Sequence, residues 1–421
     1  MTAAGLPGAP DGGGAPSRAE VRRAAAAWSG LVEPGDRTAG ALLLAVGPVA
    51  ALAWVRAAHA HGDPRRAVAR LRDRLGEAPD ELSARRLLAA LDRWRPRLGR
   101  VDPDRDAREL QRLGGCVLVR GDEWWPAGLD DLGAAAPACL WVRGDPRALV
   151  GAPAVALVGA RAATSYGTSV AADLACGLAD RGHRVVSGGA YGIDAAAHRG
   201  ALAGDGVTVA VMAGGVDRLY PAGNTDLLER VLARGGAVVG EVPVGATPTR
   251  SRFLHRNRLI AALSSTTVVV EAAWRSGSLS TATHAAGLLR PVGAVPGPVT
   301  SMASTGCHRL LREQDAVCVT SVDDVVELLP GAGPGGAEPG GAGPGAGGPD
   351  PRDGLGAAAR AVVDGLDAGR PSSLDELVPV VGLAAADVLA ALGELELAGL
   401  VVRGPGGWGL TPEGRRPAPR P

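Results

Sequence analysis

Two glycine-bearing stretches, Gly159-Ala160-Arg161 and Ser187-Gly188-Gly189-Ala190-Tyr191-Gly192-Ile193-Asp194, each stand between a Val-rich run and a segment of helical pattern. The chemistry such a junction offers is anion binding. Glycine lets the backbone approach an anion closely, and the N-terminus of the following helix supplies unpaired N–H groups at the positive end of its dipole. Arg161, directly after the first turn, could add two parallel hydrogen bonds to a phosphate, although an arginine placed there often pairs with a surface carboxylate instead. Two strand ends converging on one anion favour the phosphate. After Val268-Val269-Val270-Glu271, the run Ser276-Gly277-Ser278 makes a third cradle, with ordinary N-capping as the simpler role for its serines.

A second constellation adds an aromatic ring. Arg252, Arg256 and Arg258, with His255 and Asn257, surround Phe253, the sole phenylalanine of the chain. Cations beside an aromatic face suit single-stranded nucleic acid, which presents phosphates and unstacked bases together. Leu259 and Ile260, just beyond, begin a buried helix. The segment Gly214-Gly215-Val216-Asp217-Arg218-Leu219-Tyr220-Pro221 reads equally well as a plain turn with a core tyrosine. No nucleophile–base set is legible: His198, His284 and His308 are isolated, and His198 is expected to pack or bond locally. The five cysteines show no metal-ligand spacing, and Cys176 and Cys318 fall in apolar patterns that suggest reduced core residues. No catalytic residue, metal or cofactor is therefore expected.

The elements that position these groups are short strands alternating with helices. Strands are predicted at Val155–Val158, Val185–Ser187, Val207–Met212, Ala237–Val239, Thr267–Glu271, Val292–Val295 and Val317–Val319. Apolar on both faces, they imply an α/β fold with a doubly wound, mostly parallel sheet, whose ligands lie beyond the carboxyl ends of the strands. Around this sheet domain, placed at 110–330, residues 1–17 are expected to be disordered, 18–105 to form an N-terminal helical domain, 331–354 to be a Gly/Pro linker, and 355–415 a winged-helix domain. In the last, helices are expected at Leu355–Leu366, Ser373–Pro379 and Ala384–Leu397, before a hairpin turning at Gly404-Pro405-Gly406-Gly407. Its third helix carries Asp387, Glu394 and Glu396 and no basic residue. That acidity favours a protein-contact module over a reader of DNA, because carboxylates repel phosphate.

Composition sets outer limits. A chain of 421 residues with 46% hydrophobic residues can bury a substantial core. The formal charge is zero, and all 44 basic residues are arginine. Zero net charge argues against a general polyanion binder but leaves room for a local basic groove. With no basic-then-apolar leader and no apolar run of roughly 18 to 20 residues, the expected location is cytoplasmic, with no membrane partner.

Val158-Gly159-Ala160-Arg161, Ser187 through Asp194 with His198, Gly215-Val216-Asp217 to Tyr220-Pro221, Arg256-Asn257-Arg258-Leu259-Ile260-Ala261, and Ser276-Gly277-Ser278-Leu279 with Thr281-Ala282 resemble, in order and spacing, the DNA-processing protein A (DprA/Smf) family. The likeness runs from about Asp122 to Val319 and includes Trp125-Pro126 and Leu140 to Gly144. It implies an extended Rossmann-like domain with a non-enzymatic role. Such a protein binds single-stranded DNA in a basic pocket, forms a homodimer and loads RecA recombinase onto incoming DNA in natural transformation or recombination. Carried over, Arg161, Ser187, Gly188 and Gly189 would hold phosphate, Phe253 would meet a base, and Arg256, Asn257 and Arg258 with Ser276, Gly277 and Ser278 would line the groove. Leu254 stands where the family usually has proline, His308 where asparagine is expected, and Gln314-Asp315-Ala316 replaces a usual glycine-alanine ending. The rival reading is a Rossmann-like nucleoside-monophosphate hydrolase. It expects a Pro-Gly-Gly turn followed by Gly-Thr, where this chain has Arg275-Ser276-Gly277-Ser278. A dinucleotide site would need Gly-x-Gly-x-x-Gly in the first turn, which holds a single glycine.

Overall fold

The sheet has nine strands: β1 (Gly115–Leu118), β2 (Leu140–Gly144), β3 (Ala154–Gly159), β4 (Arg184–Ser187), β5 (Thr208–Val211), β6 (Ala237–Gly240), β7 (Thr266–Glu271), β8 (Val292–Ala294) and β9 (Val317–Cys318). Their order is β1-β2-β6-β5-β4-β3-β7-β8-β9, and the seven from β6 to β9 are parallel. The computed structural model describes residues 15–60, 62–330, 355, 357–366, 370–404 and 407–411. The Gly/Pro segment 331–354, residues 1–14, Pro405-Gly406 and 412–415 lie outside the described residues. Compact packing divides the chain into units 1–337 and 338–421.

From β3 the chain winds outward through β4, β5 and β6, then returns to the other side of β3 as β7. The order therefore reverses between β3 and β7, and the crevice beyond their carboxyl ends is where such a sheet takes ligands. β3 and β7 pair in parallel with a register shift at Val158/Gly159. Two strands were missed in the sequence: β1 and β2 pair antiparallel to each other, and β2 antiparallel to β6. They are short and flanked by glycine, so neither gives the both-faces-apolar signal of a central parallel strand.

Residues 18–112 fold as helices with a core of their own, in which Trp28 and Trp94 meet edge to face at 5.2 Å. That core nonetheless belongs to the same compact unit as the sheet. Trp141 of β2 donates its indole N–H to Ser29 Oγ at 3.0 Å, and Arg252 pairs with Glu33 at 2.9 Å. Of the cysteines, Cys139 and Cys307 are buried, and burial pushes both thiols up to about 12. Cys176 is only half-buried and Cys318 is exposed, contrary to the core placement expected for both. Cys318 lies on β9, whose single neighbour leaves its outer edge open. No single helix among the described residues is long and apolar enough to cross a membrane.

In the second unit, helices Ala357–Gly365, Leu374–Val381 and Ala385–Leu397 enclose Val362, Leu377, Leu392 and Leu395, followed by the antiparallel hairpin β10 (Val401–Gly404) and β11 (Gly407–Leu410). This is the three-helix-plus-wing arrangement expected. Asp387, Glu394 and Glu396 are all exposed on its third helix.

Candidate functional site

The turns after β3, β4 and β7 are knitted into one surface by backbone hydrogen bonds. Ala160 N–H donates to Glu271 O at 2.7 Å, and Ile193 N–H donates to Ala160 O at 3.1 Å. Gly192, with φ +75°, makes the second contact possible, because a Cβ there would strike the Ala160 and Arg161 carbonyls. Below, the Glu271 carboxylate accepts Thr164 N–H at 2.8 Å and Thr164 Oγ1–H at 2.7 Å. Thr164 in turn caps the helix Ser165–Asp180. Glu271 is thus committed to joining the two sides of the crevice, and is itself buried.

Helix Arg250–Ala262 holds the remaining turns from the side. Arg256 is buried and donates from Nη1 to the Gly188 carbonyl at 2.6 Å and to the Val211 carbonyl. Gly188 has to be glycine for this: a Cβ would come within 2.5 Å of both the Arg256 guanidinium and the Asp194 carboxylate. One residue on, Asn257 Nδ2 donates to Gly277 O at 3.1 Å and to Ser280 Oγ at 2.7 Å, fixing the Ser276-Gly277-Ser278 turn. Neighbouring residues of one helix therefore set two separate turns. Neither the helix opening at Ile193 nor that opening at Ser278 has a side-chain cap, since their N-cap positions are Gly192 and Gly277. The glycines supply no cap of their own, but the first donors are used: Ile193 N–H goes to Ala160 O, and Ser278 N–H to Ser276 Oγ at 3.4 Å.

Burial moves the charges here without removing the key one. Desolvation lowers Arg256 to about 10, against the pull of Asp194, so it remains cationic at neutral pH. Burial raises the Asp194 carboxyl above its usual range, opposed by Arg256. His198 is fully buried, with Nδ1 at 2.7 Å from Thr208 Oγ1, and desolvation lowers it to about 4. It packs locally, as expected, and is neutral at pH 7. A buried cation beneath the Gly188 turn raises the positive potential at the surface above it.

At that surface, Arg161 is exposed and lies over the Phe253 ring at 4.6 Å. It makes no ion pair among the described residues. Phe253 is half-buried, with Tyr220 against it at 5.9 Å between centroids and the Arg256 guanidinium 6.0 Å from its ring centroid. The result is an aromatic shelf of two rings tilted by 50°, topped by a guanidinium with no ion pair among the described residues and backed by the buried Arg256.

The sequence-derived site residues separate into three groups. Arg161 and Phe253 come together at the surface, whereas Gly188 and Gly189, expected to hold phosphate, are both buried. Ser187, Arg256 and Asn257 stand behind that surface; Ser187 is wholly buried and donates Oγ–H to Leu157 O at 2.6 Å. Ser276 and Ser278 share a hydrogen bond of 2.7 Å across their turn. Arg258 departs most: it is buried on another side of the helix and paired with Glu241 at 2.7 Å. Sequence reasoning missed the exposed aromatics of this edge. Tyr220 was read as equally fit for the core yet is 45% exposed, and Tyr191 and Trp274 are exposed as well. The available signal was position, since all three lie just past strand ends in glycine- or serine-bearing loops.

Residues 116–330 match the profile of the DNA recombination-mediator protein A family, and residues 347–407 that of the DprA winged helix domain. A Mycobacterium tuberculosis protein described as a DNA processing protein DprA is 46% identical over 325 residues, covering 73% of this chain and 80% of its own length. The Escherichia coli protein Smf is 40% identical over 193 residues, covering 46% of this chain and 51% of its own. The X-ray structure of DNA processing protein A from Streptococcus pneumoniae superposes with a TM-score of 0.55 at 28% identity, covering 74% of this chain and 98% of that one.

Proposed function

This chain belongs to the DNA-processing protein A (DprA/Smf) family, and from that premise we propose that it binds single-stranded DNA at the β3/β4/β7 edge and delivers the strand to RecA recombinase. The observation that carries the reading is Arg161, exposed over the Phe253 ring with no ion pair among the described residues, beside a buried Arg256 that holds the Gly188 turn. A phosphate would take the place of an ion-pair partner at Arg161 and meet the turn N–H groups. A base would stack on the Phe253–Tyr220 shelf without regard to its identity. Ser187, Arg256 and Asn257 act in this reading as positioning residues, and the serine turn at 276–278 as a neighbouring donor surface. The role is that of a binder and not of a catalyst. His198 is buried behind the turn and Glu271 is engaged with Thr164, which gives the hydrolase alternative no support. Action as a homodimer, partnership with RecA and a cytoplasmic location are parts of the same proposal and rest on family membership.

Fluorescence anisotropy of a labelled oligothymidylate, titrated at two salt concentrations with duplex competitor, tests the binding. Tight, salt-sensitive binding that duplex does not displace is expected. Absence of binding at low salt would overturn it. Light scattering at micromolar concentration tests the dimer, which a monomer mass would contradict.

A further inference from the structure

Beside the shelf, on the other side of helix Arg250–Ala262, an open groove of about 620 Å³ is lined by Arg37, Thr38, Arg85, Arg86, Arg93 and His255. It abuts that helix directly: a Cβ on Gly35, in the groove wall, would come within 3.0 Å of His255 Nδ1. Phe253, Leu254 and His255 follow one another along the helix, and Leu254 and His255 are both exposed. The shelf and the groove are therefore separated by about the width of one helix with its side chains, roughly 10 Å.

Of the groove's four arginines, Arg37 is paired with Glu81 at 2.9 Å and Arg93 with Asp36, which leaves Arg85 and Arg86 as the charges a ligand can reach. The groove's two acids are already engaged. Asp36 accepts the Thr38 and Ala39 N–H groups at 3.1 Å and the Trp94 indole N–H at 3.1 Å, and pairs with Arg93 at 3.2 Å. Glu33 is held between Arg97 and Arg252. Arg85 is exposed and has no ion pair among the described residues. Arg86 is paired with Asp80, which is 73% exposed, so the pair is screened by solvent and a phosphate can take Asp80's place. The one ring in the groove is the His255 imidazole, and Pro34 and Ala89 add apolar lining among the arginines. The solvent-exposed guanidiniums of Arg85 and Arg86 suit the phosphates of a sugar–phosphate backbone.

Resting on the single-strand reading above, we infer that this arginine groove is a second anchorage for the same DNA strand, which leaves the Phe253 shelf, crosses Leu254 and His255, and lays its backbone along Arg85 and Arg86. The shelf grips bases and phosphate; the groove grips phosphate alone. The anchorage lengthens the site without adding sequence preference.

The full chain carrying Arg85→Glu and Arg86→Glu tests this against oligothymidylates of about 3 and about 25 nucleotides, lengths that bracket the site sizes of roughly 4–16 nucleotides usual for single-strand binders. Both positions lie in the first turn of helix Ala84–Leu98, where acidic side chains suit the helix dipole, and glutamate at 86 can complete a capping box with Ser83, so the variant is expected to fold. The expected result is unchanged affinity for the short oligonucleotide and roughly tenfold weaker binding of the long one, with the salt slope for the long one reduced by about 1.4. Wild-type affinity for the long oligonucleotide would overturn the inference and leave the groove to an acidic protein segment. Failure of the wild-type chain to bind either oligonucleotide at low salt would instead overturn the shelf reading, so the two failures are distinguishable.

Discussion

The carboxyl edge of the sheet and the third helix of the winged-helix unit both present charge to solvent, but of opposite sign and by different construction. At the sheet edge, free and buried guanidiniums meet an aromatic ring, and glycine turns are pinned by Arg256, Asn257 and Glu271. On the winged helix, exposed Asp387, Glu394 and Glu396 accompany Leu389 and Leu397, which are 49% and 93% exposed. The first surface carries positive charge and is held by hydrogen bonds from behind; the second carries exposed negative charge beside apolar side chains. The contrast is the reason the proposed site lies on the sheet: a winged helix suggests DNA by its fold, yet its third helix exposes carboxylates, which repel phosphate.

The sharpest way to break this comparison is Arg256→Ala. If Arg256 organises the edge from behind, the change strands the Gly188 and Val211 carbonyls and leaves the Asp194 carboxyl without its cation. The cost should be about 3–5 kcal/mol of stability in urea unfolding. Arg161→Ala, at the surface, should leave unfolding unchanged while lowering the salt slope of DNA binding by about 0.7. An Arg256→Ala protein as stable as wild type but unable to bind would make Arg256 a ligand and undo the division into front and rear.

A pH series probes the rear layer from another side. His198 titrates near 4 when folded and near its ordinary value of about 6.5 when unfolded. The unfolded state therefore binds the extra proton between these values, and the stability due to a neutral His198 is complete above about pH 6.5 and lost as pH falls towards 4. Up to about 3 kcal/mol is at stake over that window. Chemical denaturation of wild type and His198→Asn across it should converge as pH falls; parallel curves would place the acid sensitivity elsewhere.

Smaller effects sharpen the front. Phe253→Ala should remove about 1–3 kcal/mol of single-strand affinity as stacking is lost, measured by the same anisotropy titration, and an unchanged affinity would remove the shelf from the site. The smallest effect belongs to the other half of the comparison. Glu394→Gln with Glu396→Gln should change single-strand affinity by less than about twofold, because neither residue meets a phosphate. A large gain would show that the winged helix lies along the DNA path after all.

Much of this architecture was legible in the sequence because its signals are local. Val-rich runs of strand length, glycines at the strand-to-helix junctions and a single phenylalanine among arginines are short-range patterns, and each leads to its physical consequence within a few residues. The seven central strands and the three winged-helix helices follow from them. Strands β1 and β2 escaped because an antiparallel extension at a sheet margin needs neither length nor two apolar faces. Cys318 was misjudged because an edge strand carries the same apolar pattern as a central one while leaving its side chains exposed.

The sequence by itself determined which residue types stand at the strand ends, and so that an anion with a flat ring would suit this edge. Which arginine faces outward was a matter for the tertiary structure alone. Arg252, Arg256 and Arg258 occupy one helix within seven residues, yet one pairs with Glu33, one is buried under Gly188 and one is buried against Glu241. Arg161, from a different strand end, supplies the exposed cation over Phe253. A helix sends successive side chains around its circumference, about 100° apart, and what each one meets is set by neighbours distant in the chain. Charge composition is local information, but the burial and pairing of a charge are decided only when remote segments close upon it.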